Sequence, residues 1–224
     1  MRDDGGSSEI MSSGDSVYFH QMVGDSMRVI ESVRALESAC FQAAAVLAEC
    51  LRYGGKVMTC GNGGSAAEAC HLSTEFLCRF ECDRRPLPAI SLNADGSFMT
   101  AVGNDYHFDQ VFARQVEGLA RSGDVLVVFS TSGNSANIVK ALLAAKERGI
   151  KAIALLGRNG GQAAGLADVE ITVSDSVTAR IQEAHQLILH LLCGLVERRL
   201  FVGAMPKASA AAKNAKKRPI KRRL

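Results

Sequence analysis

The chain has 224 residues, of which 47% are hydrophobic and 22% are charged, and its formal net charge is +3. This balance is typical of one ordinary globular domain with terminal extensions. No secretory signal is expected, because residues 1–15 are polar and acidic with no apolar core, and the most apolar run, residues 187–196, is too short to span a bilayer. The seven cysteines form no CxxC pair, which argues against a thiolate zinc site. We therefore expect a cytoplasmic protein with reduced thiols and no membrane contact.

Both ends of the chain differ in composition from the middle. Residues 1–15 are rich in Ser, Gly and Asp and are expected to be disordered, as is the tail of residues 206–224. The tail carries eight basic residues and no acid, so the chain without it has a net charge of −5 instead of +3. Such a tail could contact nucleic acid weakly, although a solvated extension with no role is equally consistent. The folded domain is predicted to cover residues 16–205.

Apolar periodicity predicts two helices before any strand. Between residues 16 and 53 the apolar side chains recur at spacings of three and four, and Gly54 and Gly55 end the run. The periodic positions are Leu36, Cys40, Ala43, Leu47 and Leu51. We expect these helices to pack on the domain or on another subunit.

The remainder alternates strands with helices. Strands are predicted at residues 56–60, 87–92, 124–129, 151–156 and 169–173, and helical segments at 64–80, 97–102, 106–120, 136–148 and 178–201. This alternation predicts an α/β fold: a doubly wound, mainly parallel sheet of about five strands with helices on both faces. The order of the strands is not predicted.

Two loops follow strands and should lie at one edge of the sheet, where such folds bind ligands. The glycine loop, residues 61–65, joins a strand to a helix and can bring backbone N–H groups close to an anion. The serine loop, residues 130–135, offers hydroxyls and N–H groups that suit a phosphomonoester. Both loops could instead only pack or cap helices. Neither contains a nucleotide-binding signature, so no nucleotide cofactor is expected.

Two helices carry groups suited to chemistry. His71 and Glu75 lie one turn apart on the helix after the glycine loop, and the closing helix carries Gln182, His185, Gln186 and His190. Acid–base chemistry, metal binding or both would fit, while hydrogen-bonded core histidines or solvated side chains are the plain alternatives. Two histidines and a glutamate could hold Zn²⁺, with an amide oxygen in the fourth position.

Four segments carry a resemblance to a known family. CGNGGSAAEACHLSTEF, AVGNDY, GDVLVVFSTSGNSANIVKA and RIQEAHQLILH resemble, in order and spacing, the sugar isomerase (SIS) domain, and more narrowly the phosphoheptose isomerases, over roughly residues 36–201. Ala179 departs from the family, since many members have Asp before the Arg of RIQE.

The resemblance implies a role for particular residues. Glu75 and His190 would be the acid–base pair, and one Zn²⁺ per subunit would be bound by His71, Glu75, Gln182 and His190. Substrate contacts would come from Asn62, Gly63, Gly64, Glu75, Asn104, Asp105, Ser130, Thr131, Ser132, Ser135 and Gln182.

The resemblance also implies an activity. The expected reaction is the conversion of D-sedoheptulose 7-phosphate to D-glycero-D-manno-heptose 7-phosphate through an enediolate. Its product would serve ADP-heptose and lipopolysaccharide core biosynthesis, and the enzyme would be a homotetramer. The alternative is a non-catalytic SIS-domain assembly factor that binds the replication initiator. A sugar-phosphate-sensing regulatory domain is a third reading, but it would normally be fused to a DNA-binding domain, and none is visible. Because His71, Glu75 and His190 occur together, the sequence favours the enzyme.

Overall fold

The structure, a computed structural model, describes residues 13–201. Helix α1 (Ser13–Ser32), a 3-10 turn (Val33–Leu36) and helix α2 (Glu37–Arg52) precede the sheet, as predicted. Helix α1 begins three residues before the expected boundary at residue 16, and the rest of the predicted N-terminal extension lies outside the described residues. The basic tail lies outside them too.

Five strands form one parallel sheet. They are β1 (Val57–Gly61), β2 (Ala89–Ser91), β3 (Val125–Ser130), β4 (Lys151–Gly157) and β5 (Val169–Val173), in the order β2-β1-β3-β4-β5. Every residue of β1 and β3 is buried, as expected for central parallel strands covered on both faces. The predicted fold class is confirmed.

Helices cover both faces of this sheet. After α2 come α3 (Gly64–Leu77), α4 (Gly96–Asp105), α5 (Ala113–Leu119), α6 (Ala136–Glu147) and α7 (Thr178–Leu200). One core lies between the sheet and α2, α3 and α7, and the other lies between the sheet and α4, α5 and α6. Successive side chains of β3 alternate between them, since Val127 and Phe129 join the first core and Leu126 and Val128 the second.

One predicted helix is divided in the structure. The segment 106–120 contains a 3-10 turn, Phe108–Gln110, followed by the shorter helix α5. The predicted apolar residues Val111, Phe112 and Val116 are buried, but Phe108 is 54% exposed. His107 has an extended backbone, and Asp109 forms a 2.7 Å ion pair with Lys140 of α6, which holds this turn against the neighbouring helix.

The strand order places the two predicted loops side by side. The chain leaves β1 toward β2 on one side, whereas β3 pairs with β1 on the other, so the order reverses between β1 and β3. The last residue of β1, Gly61, is in register with Phe129, immediately before the serine loop. The glycine loop and the serine loop therefore lie at the point where parallel sheets of this kind leave a crevice for a ligand.

Among residues 13–201, no helix combines the length and the hydropathy that crossing a membrane requires. All seven cysteines are free thiols, and burial raises the pKa of several of them, that of Cys50 to about 12.

Candidate active site

The glycine loop is fixed by side-chain amides. The amide of Asn93 accepts from the Gly61 N–H at 3.2 Å and donates to the Gly61 carbonyl at 2.9 Å. The amides of Asn62 and Asn137 exchange two hydrogen bonds of 2.9 Å, which join the loop to α6. A Cβ on Gly64 would lie 2.2 Å from Nε2 of Gln182, so a side chain at this position would force the Gln182 amide to move.

The serine loop is a tight turn at the carboxyl end of β3. The Ser130 hydroxyl accepts from the Gly133 N–H at 3.0 Å, and the Ser132 hydroxyl accepts from the Asn134 N–H at 3.2 Å. Ser135 is the N-cap of α6, but its hydroxyl makes no capping hydrogen bond. Thr131, Ser132 and Ser135 are partly exposed. The loop thus presents hydroxyls beside a helix N-terminus, an arrangement that suits a phosphate.

Helices α3 and α7 bring three ionisable side chains together. Nε2 of His71 lies 3.0 Å from Oε1 of Glu75 and 3.4 Å from Nε2 of His190, although His71 and His190 are 119 residues apart. Gln186 donates to Nδ1 of His71 at 2.7 Å, so the ring proton of His71 is on Nε2 and points at Glu75. The ring of Phe80 stacks on His190 with centroids 5.5 Å apart. All three ionisable residues are half-buried, within reach of a ligand.

The same three residues form a donor set suited to zinc. One ligand atom from each of His71, Glu75 and His190 lies within 4.8 Å of the other two. In a tetrahedral site with Zn–N distances of ~2.0–2.1 Å the ligand atoms lie ~3.3 Å apart, close to the 3.4 Å between the two Nε2 atoms. These residues therefore fit the metal. Binding at Nε2 of His71 would displace its proton.

The amide expected to complete the set is placed differently. Gln182 lies against Gly64, and Gln186, one turn further along α7, is the amide that contacts both histidines, at 2.7 Å from His71 and 3.3 Å from His190. Gln182 as a zinc ligand thus stays a prediction.

Asn104 and Asp105 lie at the exposed end of α4. The Asn104 amide donates to the Asp105 carboxylate at 2.8 Å, so their hydrogen bond joins them to each other and not to the histidine cluster. Their predicted substrate contacts stay predictions as well.

His185 proves to be a core histidine. It is fully buried, and its Nε2 donates to the Leu156 carbonyl at 3.0 Å. Its Nδ1 faces Oε2 of Glu68 at 3.8 Å, and within residues 13–201 neither atom has a hydrogen-bond partner. The plain alternative for a histidine on this helix therefore holds for His185 and not for His190.

Several residues of the site had no assigned role from sequence. Gln186 had a usable signal, because it lies one helical turn from His190. Phe80 and Asn137 had none, since their contacts depend on how distant elements pack.

The chain is similar to known proteins over most of its length. The SIS domain model matches residues 18–157. The phosphoheptose isomerases of Shewanella loihica and Shewanella frigidimarina are 48% and 49% identical over 175 residues, which is 77% of this chain and 89% of each relative.

Two solved structures extend the likeness. Phosphoheptose isomerase GmhA from Neisseria gonorrhoeae is 43% identical with a TM-score of 0.77, covering 83% of this chain and 99% of its own. A phosphoheptose isomerase from Francisella tularensis is 42% identical with a TM-score of 0.79, covering 84% and 100%. These relatives are named as isomerases, which favours the enzyme over the assembly factor. The chain belongs to the SIS-domain family and, within it, to the phosphoheptose isomerases.

Proposed function

We propose that this isomerase converts D-sedoheptulose 7-phosphate to D-glycero-D-manno-heptose 7-phosphate through an enediolate, with Glu75 and His190 as the acid–base pair. The observation that supports this most directly is the convergence of Glu75 and His190 around His71, between α3 and α7. The product would serve ADP-heptose and lipopolysaccharide core biosynthesis.

The chain's own residues supply each part of the reaction. The Glu75 carboxylate removes the proton alpha to the carbonyl and returns it to the neighbouring carbon, and the His190 ring moves a proton between the two oxygens. Hydroxyls and N–H groups of the serine loop hold the phosphate. Phosphate binding far from the reacting carbons contributes energy that orients them.

We also propose that the site holds one Zn²⁺, bound by His71, Glu75 and His190 with Gln182 as the fourth ligand. A carboxylate that binds a metal is a poorer base, so Glu75 would change its coordination when substrate binds. When bound, the metal would polarise the substrate carbonyl and stabilise the developing oxyanion. Elemental analysis tests this: about one zinc per chain is expected, and His71→Ala should abolish it. A protein that is active, free of zinc and insensitive to strong chelators would contradict the proposal.

We further propose that the protein is a homo-oligomer. The resemblance to the phosphoheptose isomerases favours a tetramer. A groove of about 500 Å³ between the N-terminal helices and α7 is lined mainly by apolar side chains, among them Val33, Phe41 and Leu191. Phe41 and Leu191 are 44% and 41% exposed in the single chain, and a second copy would cover them. A monomer mass by light scattering at micromolar concentration would contradict this.

The free thiols are consistent with a reducing compartment, and we propose a cytoplasmic location.

The decisive experiment measures turnover. Wild-type protein incubated with sedoheptulose 7-phosphate should yield the aldose phosphate, detected by NMR. Glu75→Gln and His190→Gln should each lower kcat by at least ~10²-fold, the usual size of a general acid–base contribution. The exposed residues Glu147 and His107 provide matched controls, since Glu147→Gln and His107→Gln make the same chemical change away from the cluster.

Two results would contradict the assignment. Near-normal kcat in both Glu75→Gln and His190→Gln would show that these side chains do not carry the protons. No turnover by the wild type would favour the assembly factor.

A further inference from the structure

Behind the acid–base pair lies a buried ion pair, Arg84 with Glu197. Nε of Arg84 lies 2.7 Å from Oε1 of Glu197, and the two side chains are 1% and 0% exposed. Removing two charges from water is unfavourable, and their attraction offsets this only when further hydrogen bonds satisfy the remaining donors and acceptors. The further hydrogen-bond partners of Arg84 and Glu197 therefore indicate which segments the ion pair holds in place.

Arg84 binds the end of the helix that carries Glu75. Its Nη2 donates to the Glu75 carbonyl at 2.8 Å, and its Nη1 donates to the Phe76 carbonyl at 2.9 Å. Both carbonyls belong to the last turn of α3, where helix carbonyls lack an internal partner and a cation is favoured. The guanidinium thus fixes the backbone that carries the Glu75 carboxylate.

Glu197 binds the segment that carries Phe80. Its carboxylate accepts from the N–H groups of Phe80, Glu81 and Cys82 at 3.0, 3.0 and 3.1 Å. Burial by itself would raise the pKa of Glu197, but these hydrogen bonds and that from Arg84 outweigh it and hold the pKa below its usual range.

Phe80 in turn stacks on the ring of His190, with an interplanar angle of 16°. His190 and Glu197 both lie on α7, two turns apart and on one face of the helix. The carboxylate therefore holds in place the aromatic ring that packs on His190.

We infer that Arg84 and Glu197 are positioning residues that set Glu75 and His190 at their working distance from each other. The inference rests on the proposed function and deepens it. One ion pair contacts the main chain at Glu75 and the loop that packs on His190, so its loss moves both groups without removing either. The serine loop, which would hold the phosphate, joins β3 to α6 and is not contacted by this ion pair. Loss of the ion pair should therefore change substrate binding less than turnover.

The chain contains a matched control pair. Asp124, also buried, is paired with Lys56 and accepts from the N–H groups of Lys56 and Arg121 at 2.9 and 2.8 Å. This pair lies at the start of β3, at the edge of the sheet opposite the loops. Asp124→Asn should therefore weaken the fold as Glu197→Gln does, without reaching the site.

Kinetics provide the first test. We expect Arg84→Met and Glu197→Gln to lower kcat by roughly 10- to 100-fold, the size found when a reacting group is misplaced by about 1 Å, with KM changed less than threefold. Arg84→Lys keeps the charge but not the two-carbonyl contact, so its kcat should be intermediate. Asp124→Asn, corrected for the folded fraction, should keep wild-type kcat.

A spectroscopic readout gives a second test that does not depend on turnover. In protein with ¹³C-labelled histidine, the ring protons of His190, assigned with His190→Gln, should be shielded by Phe80, and Phe80→Leu should remove that shielding. Arg84→Met and Glu197→Gln should also shift this signal, whereas Asp124→Asn should not.

The outcomes separate the two proposals. Suppose that the wild type shows no turnover, and that the His190 signal is displaced in the Arg84 and Glu197 variants but not in Asp124→Asn. The isomerase assignment is then overturned and the positioning role stands. Unchanged kcat and an unchanged His190 signal in Glu197→Gln, with a lower melting temperature, would overturn the positioning role. Glu197→Gln retains an acceptor oxygen and nearly the same volume, so it serves if Arg84→Met does not fold.

Discussion

Gly133 in the serine loop gives the sharpest prediction of what the fold requires. Its φ is +65°, and a Cβ there would lie 1.8 Å from the carbonyl oxygen of Gly160, whereas real Cβ contacts stay above 3.0 Å. In Gly133→Ala the serine loop and the turn at Gly160, which follows β4, must therefore separate by on the order of 1 Å. An alanine in the left-handed region costs ~1–2 kcal/mol, and the overlap adds ~1–3 kcal/mol.

Gly149 separates the two contributions. Its φ is +66°, but nothing lies within 4 Å of a Cβ there. Gly149→Ala should therefore lose only the ~1–2 kcal/mol of backbone strain. The assay is urea unfolding of both variants at one protein concentration, since association changes apparent stability.

The same variants report on phosphate binding. The Gly133 N–H donates to the Ser130 hydroxyl, and the Gly133 carbonyl accepts from the Ala163 N–H at 2.9 Å. Moving Gly133 therefore disturbs the serine loop that would hold the phosphate. Losing one hydrogen bond to a charged ligand is worth ~1.5–3 kcal/mol, which corresponds to a rise in KM of about tenfold or more. Gly149→Ala should keep the wild-type KM. Equal losses of unfolding free energy and equal KM values in the two variants would refute the reasoning.

Two further predictions concern the charges of the chain. Burial by itself would raise the pKa of Asp124, but hydrogen bonds from Lys56 and from backbone N–H groups outweigh it and lower the pKa. Its stabilising contribution is therefore present above the unfolded pKa of ~3.9 and is lost as the pH falls through the folded value. Urea unfolding between pH 3 and pH 6 should show a flatter acid limb for Asp124→Asn, and an unchanged slope would contradict this. A chain ending at Pro206 should keep its turnover, because every assigned site residue precedes that position; lost turnover or a dissociated oligomer would show the tail to be structural. The full chain should bind DNA only weakly, and less as salt rises from about 50 to 200 mM, whereas equal binding by the truncated chain would exclude the tail as the contact.

Much of the site followed from the sequence because its geometry is local. His71 and Glu75 share a face of α3 by the pitch of the helix alone, and in the structure Nε2 of His71 lies 3.0 Å from Oε1 of Glu75. Continuous apolar runs predicted buried strands, and glycines and serines after two of them predicted loops at the carboxyl edge. These patterns are set by the period of each element, which a sequence displays directly.

The tertiary structure decided what depends on packing between distant elements. The sequence determined that α7 carries Gln182, His185, Gln186 and His190, but the rotation of α7 against α3 determined which of them face His71. That packing directs His190 and Gln186 to the site, places Gln182 against Gly64 and buries His185 in the core. Likewise, the strand order that brings the two loops together, and the pairing of Arg84 with Glu197 across 113 residues, arise from contacts that local periodicity cannot encode. The physical reason is that helix pitch fixes which residues share a face, whereas only the complete core fixes which face meets which.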